Sequence, residues 1–218
     1  APRAPPLELR VHRRYNPEGI SAYNIVPGLL GVILTLTMVL ITGLAVTRET
    51  ERGTMENLLA MPLTPAEVMV GKLIPYVLIG YIQVIFILLG ARFIFHVPMI
   101  GSLPLLVLVL ALFIAVNLAV GFTFSTLARN QLQAMQMTVF FFLPSILLSG
   151  FMFPFRGMPV WAQMIGEALP LTHFLRIVRG ILLKGNGFFE IWPSIWPLLI
   201  FLTVVSTIAL TRYRRTLD

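Results

Sequence analysis

The sequence lacks cysteine entirely and has very little charge. Of its 218 residues, 11% are Asp, Glu, Lys or Arg, 57% are hydrophobic, and the mean hydropathy is +0.89. The absence of cysteine excludes a disulfide framework, a thiolate metal site and a Cys nucleophile. Soluble domains carry about a quarter charged residues and have a large surface to cover, so this composition excludes an ordinary water-soluble globule. The chain is predicted to be a polytopic membrane protein.

Signatures of chemistry are also missing. The nine carboxylates and three histidines all lie outside the long apolar segments, which argues against a carrier driven by an intramembrane proton or sodium relay. The H-E-x-x-H and G-x-S-x-G signatures of metallo- and serine hydrolases do not occur. Gly71-Lys72 lacks both the earlier glycine and the following Ser or Thr of a P-loop. We therefore expect no directly bound cofactor, and uphill transport would need energy from another subunit.

Long apolar stretches are what the sequence does contain. A membrane-spanning helix needs about 20 mostly apolar residues. Backbone polar groups within lipid must be satisfied inside the segment, which favours helices. The predicted fold is therefore all-α. Its predicted spans are 25–47, 73–95, 103–127, 135–154 and 193–211.

The two termini lie outside these spans. In residues 1–24, Leu7, Leu9 and Val11 alternate with polar residues, a pattern that predicts a short strand at the end of an extracytoplasmic segment. A disordered charged tail is the alternative interpretation. Residues 212–218 are predicted to form a cytoplasmic tail.

The connection 48–72 is rich in charge of both signs. Arg52 and Glu56 are spaced i,i+4, and Met55, Leu58 and Leu59 form a small apolar face at helical spacing. This pattern predicts a short amphipathic helix over about 49–60. A solvated helix that binds nothing is the alternative.

A second unusual region lies between the fourth and fifth spans. Two apolar runs with helical spacing follow Pro159 and Pro170, and each is too short to cross a membrane. They predict a pair of short re-entrant or interfacial helices over about 157–185. Arg176 and Arg179 on the second helix would guard an exit or meet lipid phosphates.

Polar residues within the spans are candidates for a translocation path. Gln83 and Asn117 lie near the middle of their spans. Interhelical hydrogen bonding is the alternative interpretation of both. The complete candidate path set is Gln83, Asn117, Arg176 and Arg179.

The net charge of +7 fits topology signals and anionic lipids better than nucleic acid, which is not an expected partner. Seven basic residues fall on the side of the 48–72 connection and nine on the other, four of them in the N-terminal tail. Because a large translocated segment escapes the positive-inside rule, the balance favours an external N-terminus and a cytoplasmic C-terminus.

The charged connection carries a family likeness. Residues 48–58, Arg-Glu-Thr-Glu-Arg-Gly-Thr-Met-Glu-Asn-Leu, resemble the coupling-helix signature of ABC-2-type transporter permeases. Met61-Pro62-Leu63-Thr64-Pro65 and Val70-Gly71-Lys72 resemble the elements that follow it. The stretch 170–185 is similar to that family's second extracytoplasmic helix. The resemblance covers about Tyr15 to Arg215 and implies five of the family's six spans, without the first helix.

The resemblance implies partners and a role for the charged segment. Family members dimerise with a second permease and work with two cytoplasmic P-loop ATPase subunits, which bind ATP and Mg²⁺. A location in the bacterial inner membrane is expected. The resemblance implies that the ATPase-coupling residues are Arg48, Glu49, Glu51, Arg52, Gly53, Thr54, Met55, Glu56, Leu58 and Leu59.

Two hypotheses of function follow. The first is the permease subunit of an ATP-driven exporter, which forms the translocation path. The second is a non-transporting membrane anchor or assembly subunit of a larger complex. A channel is a weaker third, because no ring-forming polar repeat is evident. Drugs, lipids and polysaccharides all remain open as substrates.

Overall fold

A computed structural model describes residues 21–51 and 65–215 of the chain, and within those ranges the protein is helical, with no strand. Two short elements are a 3₁₀ turn, Phe155–Gly157, and a π-helical turn, Gly180–Lys184. The α-helices in these ranges are α1 Ser21–Glu51, α2 Pro65–Phe93, α3 Leu103–Leu127, α4 Gln131–Leu148, α5 Val160–Ala168, α6 Pro170–Arg179 and α7 Phe188–Arg215.

Five of these helices are long and apolar enough to cross a membrane, which confirms the predicted number of spans and the all-α class. The apolar stretches within them are Ser21–Ala45, Ile74–Phe93, Leu103–Leu127, Gln131–Leu148 and Phe188–Thr211. Successive spans alternate in direction. We call the end where α1 finishes and α4 begins the loop end, and the end that carries α5 and α6 the helix-pair end.

The boundaries differ from the predicted ones where capping decides them. The fourth span begins at Gln131 rather than 135, because the Asn130 side chain caps the helix by accepting from the Gln133 N–H at 2.8 Å. It ends at Leu148 rather than 154, since Gly150 adopts φ +82°, a left-handed conformation that terminates helices.

The ends of the first and last membrane helices also extend past the predicted spans. α1 runs through Glu51, so residues 49–51 continue the first membrane helix instead of opening a separate one. α7 begins at Phe188, where Glu190 accepts a hydrogen bond from the Gly187 N–H. It continues to Arg215, so residues 212–215 extend the last membrane helix. The predicted strand around Leu7, and residues 52–64 and 216–218, lie outside the described residues.

The core is built around α1 and α3. Within an apolar 18-residue window of each helix, 61% and 67% of the residues of α1 and α3 are buried, against 17% in each of α2, α4 and α7. A Cβ on Gly121 of α3 would lie 2.7 Å from the Val39 carbonyl oxygen of α1 and 2.8 Å from the Thr42 Cβ. The two helices therefore pack with their backbones close together, as small residues allow in membranes.

The two short helices, each predicted as re-entrant or interfacial, have different environments. α5 exposes Val160, Trp161 and Met164, as an interfacial helix does. α6 is buried from Pro170 to Leu175, and its Phe174 ring stacks on Phe113 of α3 with centroids 3.8 Å apart. α6 thus has the burial expected of a re-entrant helix and contributes to the core.

Candidate functional site

At the loop end, the last residue of α1 caps the start of α4. The Glu51 carboxylate accepts a 2.8 Å hydrogen bond from the Gln131 backbone N–H and a second bond from the Gln131 side-chain amide. These bonds lower the pKa of Glu51. The first N–H groups of a helix have no partner within the helix, and its N-terminus favours negative charge. Glu51 therefore connects the charged segment to a second membrane helix.

The other predicted coupling residues are only partly described. Arg48 is exposed on the last turns of α1, and Glu49 lies one residue further along that helix. The remaining coupling residues lie outside the described part of the chain, so their predicted role stays a prediction. They are Arg52, Gly53, Thr54, Met55, Glu56, Leu58 and Leu59.

In the middle of the bundle, Gln83 of α2 is hydrogen-bonded to α1. The Thr37 hydroxyl oxygen lies 2.8 Å from the Gln83 side-chain oxygen. This contact is the interhelical hydrogen bond that the sequence suggested as the alternative to a place in the path. Such bonds contribute about 0.6–2 kcal/mol between membrane helices.

Asn117 of α3 behaves differently from Gln83. Its side-chain N–H donates to the Phe113 carbonyl of its own helix at 2.8 Å, and the residue is completely buried. Its side-chain oxygen has no hydrogen-bond partner among the described residues. A buried acceptor without a partner costs about 1–3 kcal/mol. The Asn117 side chain therefore makes no bond between helices in the described arrangement.

At the helix-pair end, an ion pair joins α5 to α6. Arg176 donates to both carboxylate oxygens of Glu167, with Nη1 to Oε2 at 2.9 Å, and its guanidinium lies 4.7 Å from the centre of the Phe155 ring. The bonds from Arg176 lower the pKa of Glu167. The buried His173 Nε2 lies 2.8 Å from the Glu167 carbonyl oxygen. Together these contacts hold α5 against the re-entrant helix.

Arg179, one turn further along α6, contacts two other elements. Its Nε donates to the Asn24 carbonyl of α1 at 3.3 Å, and its Nη1 donates to the Gly150 carbonyl after α4 at 3.2 Å. Burial lowers the pKa of Arg179. Arginine nevertheless stays charged in proteins. Two cavities of about 440 and 370 Å³ adjoin its guanidinium.

The four candidate path residues form two separate sets. Arg176 and Arg179 line both cavities at the helix-pair end. Gln83 and Asn117 lie on α2 and α3 and line neither cavity. The structure therefore brings the two arginines together but does not bring all four residues to one cavity.

The partners of these residues are not marked by any local sequence pattern. Two of these partners, Gln131 and Thr37, lie far along the chain from the residues they contact. The third, Glu167, is separated from Arg176 by a helix break. Glu167 and Arg176 are only nine residues apart, on either side of Pro170, which is a weak indication of an ion pair. Predicting that ion pair would require the angle between α5 and α6 to be known. Within the described ranges, no group of three His, Asp or Glu residues is placed to hold a metal ion.

These features define a helical membrane protein with five spans, a contact between Glu51 and the start of α4 at one end, and a pair of short helices, one exposed and one buried, at the other. Residues 10–183 match the family described as ABC-2 type transporter. The chain belongs to the ABC-2 type transporter family, as the coupling-helix resemblance predicted.

Three relatives from Escherichia coli (strain K12) support this assignment. The chain is 33% identical to "Probable multidrug ABC transporter permease YbhR" over 95% of this chain and 56% of that protein. It is 37% identical to "Probable multidrug ABC transporter permease YbhS" over 84% and 48%. It is 34% identical to "Inner membrane transport permease YhhJ" over 98% and 57%. The chain thus spans about half the length of these relatives. No solved structure matches it.

Proposed function

We propose that this chain provides most of the membrane-spanning part of an ABC exporter permease and is driven by separate ATP-binding subunits. Membership of the ABC-2 type transporter family and the permease names of the relatives support this function. The sequence itself contains no P-loop, so ATP and Mg²⁺ would bind to the partner subunits. The names of two relatives favour drug-like compounds as the exported class.

The observation that carries the coupling part of the proposal is the Glu51 contact with Gln131. The segment 52–64 joins α1 to α2, and Glu51 at its start is bonded to the first residue of α4. A force applied to this segment would therefore act on three membrane helices at once.

In this proposal the segment 49–60 docks on the ATPase. Met55, Leu58 and Leu59 would be apolar anchors, while the surrounding charges would set the register through ion pairs. Closure of the two ATPases around nucleotide would then shift the membrane helices between inward- and outward-facing packings. Moving such an equilibrium from 1:99 to 99:1 requires about 5.5 kcal/mol of differential binding.

A second permease copy or homologue and membrane lipids would cover the exposed faces of α2, α4 and α7. These faces carry many large apolar side chains, among them Phe86, Phe140 and Ile200. The proposed location is the cytoplasmic membrane of a bacterium, with the loop end inside. One relative is named an inner membrane permease, which supports this location.

The experiment is co-purification of the full-length permease from native membranes, followed by measurement of ATPase activity. We expect a P-loop ATPase to accompany the wild type, and Arg52→Glu or Glu56→Arg to uncouple ATP hydrolysis from transport. Arg129→Glu is the matched control, because Arg129 is also exposed at the loop end but lies outside the charged segment. Unchanged ATPase binding and transport in both segment variants would contradict the coupling role. Retention of the ATPase without any transport would favour the assembly-subunit hypothesis.

A further inference from the structure

The cleft around Arg179 is lined by a guanidinium whose described hydrogen-bond partners are uncharged. Its two cavities share Asn24, Arg176 and Arg179. Arg176 is neutralised by Glu167, whereas both bonds made by Arg179 go to backbone carbonyl oxygens. Within the described ranges, no carboxylate forms an ion pair with Arg179. A partly buried guanidinium without a counter-charge is a site for an anion, because desolvated charges are stable mainly when paired.

The guanidinium also has donors left to use. Arginine carries five N–H groups in a planar fork, and the two bonds to Asn24 and Gly150 employ two of them. The backbone bonds hold the fork in one orientation between α1, α6 and the end of α4. A preorganised fork is well suited to the oxygens of a phosphate group, which it contacts through parallel hydrogen bonds.

A second cation lies in the same cleft. Lys184, at the end of the π-helical turn, is exposed and lines the smaller cavity together with Tyr23. Lysine binds phosphate as a point charge and adds to the attraction without fixing geometry. The cleft thus combines one oriented donor group with one further positive charge.

The rim of the cleft is apolar and lies at an end of the membrane spans. Ile25 on the first turns of α1 and Met152 and Phe153 after α4 line the larger cavity and are about half exposed. Trp192 and Trp196 of α7 are also exposed near this end. Exposed tryptophans mark the headgroup level of a bilayer. A ligand with a phosphate and apolar chains would satisfy both the basic floor and the apolar rim.

We propose that the cleft between α1, α6 and the residues after α4 is a phosphate-binding site in which Arg179 and Lys184 hold the headgroup phosphate of an anionic phospholipid. Bound there, the lipid would fill the space between α6 and α1 and stabilise the re-entrant helix. Free phosphate offers the same oxygens to the same donors, and the two sources are separated by experiment. The site needs no ATPase partner, so its failure would leave the proposed transport function untouched.

The test uses the full-length permease in nanodiscs of phosphatidylcholine with a minor fraction of phosphatidylglycerol. The ratio of the two lipids that stay bound after extraction into detergent is measured by native mass spectrometry. We expect phosphatidylglycerol to be enriched on the wild type. Arg179→Gln should reduce that enrichment ~10-fold, because the charge-assisted hydrogen bonds from the guanidinium to the phosphate are lost. Arg156→Gln is the matched control, since Arg156 is exposed at the same end but lines neither cavity.

A second variant keeps the test decisive if Arg179→Gln does not fold. Lys184→Gln removes the exposed positive charge that lines the smaller cavity, and we expect it to reduce the enrichment about fivefold. In a parallel arm, inorganic phosphate is added to protein in phosphatidylcholine alone, against chloride at equal ionic strength. A rise in thermal stability that needs Arg179 or Lys184 would identify free phosphate as the source. The proposed site would be wrong if both variants retained phosphatidylglycerol as strongly as the wild type and phosphate did not raise the thermal stability.

Discussion

The helices of this bundle divide into a buried pair and an exposed set. Within an apolar 18-residue window of each helix, more than half of the residues of α1 and α3 are buried, against less than a fifth of those of α2, α4 and α7. All five stretches are strongly apolar, with mean hydropathies from 1.3 to 2.8. Hydropathy thus separates lipid-spanning residues from loops but does not separate helix–helix contacts from lipid contacts, because lipid tails are as apolar as leucine.

Among the substitutions that test this contrast, removal of the Phe174 ring is expected to cause the largest loss of stability. Phe174 is fully buried against Phe113, so Phe174→Ala leaves a cavity between α6 and α3. We expect a loss near the lower end of about 3–5 kcal/mol, since van der Waals packing is lost whereas little water is involved. Thermal or denaturant unfolding in detergent measures it.

Phe86→Ala on the exposed face of α2 is the matched comparison. The Phe86 side chain is 70% exposed, and its removal should change stability by no more than about 0.5 kcal/mol. A comparable loss in both variants would show that α2 is covered in solution and that the contrast between the two sets of helices does not hold there.

Alanine substitutions at glycines of the buried pair and of the exposed set are expected to change stability in opposite directions. Gly121→Ala places a Cβ against the Val39 backbone, and we expect α1 and α3 to separate slightly at a cost of about 1–3 kcal/mol. Gly90→Ala on α2 meets no atom within 4 Å and should stabilise the helix by about 0.5–1 kcal/mol. Unfolding of both variants in the same detergent tests the sign. A gain in stability for Gly121→Ala would contradict the close α1–α3 packing.

The smallest expected effect concerns the ion pair that holds exposed α5 to buried α6. The folded pKa of Glu167 lies below its unfolded value near 4.5, so the pair stabilises the protein above that pH and loses its effect as the pH falls through the folded pKa. Both side chains are more than one-third exposed, which limits the contribution to less than about 1 kcal/mol.

The corresponding measurement is the melting temperature of wild type and Glu167→Gln as a function of pH. Glu167→Gln should lower it slightly at neutral pH, and the two curves should converge in acid. Curves that stay parallel down to acidic pH would assign the stabilisation to another contact. Glu190→Gln serves as a control, because Glu190 is an exposed carboxylate whose hydrogen bond is to the Gly187 backbone N–H rather than to a cation.

Local sequence patterns predicted much of the fold. For the functional site they predicted candidate residues but not the contacts between them. Pro159 and Pro170 correctly marked the starts of the short helices, because proline's fixed φ and missing N–H suit a helix start. The end of the fourth span was misplaced since Gly150 lies inside an apolar run and its left-handed conformation is not visible in hydropathy. Gln83 was recognised as polar within a span, yet its partner Thr37 is 46 residues away.

The number of spans, the absence of an ATP-binding motif and the charged segment follow from local composition, because the cost of placing charge or unpaired backbone in lipid acts on each segment separately. Three features depend on tertiary structure alone: the burial of α6 but not α5, the cap that Glu51 makes on α4, and the position of Arg179 between α1 and α4. Each joins residues that are distant in the chain, and their energies arise only when several helices pack together. The functional geometry of this protein therefore lies in the contacts between its helices.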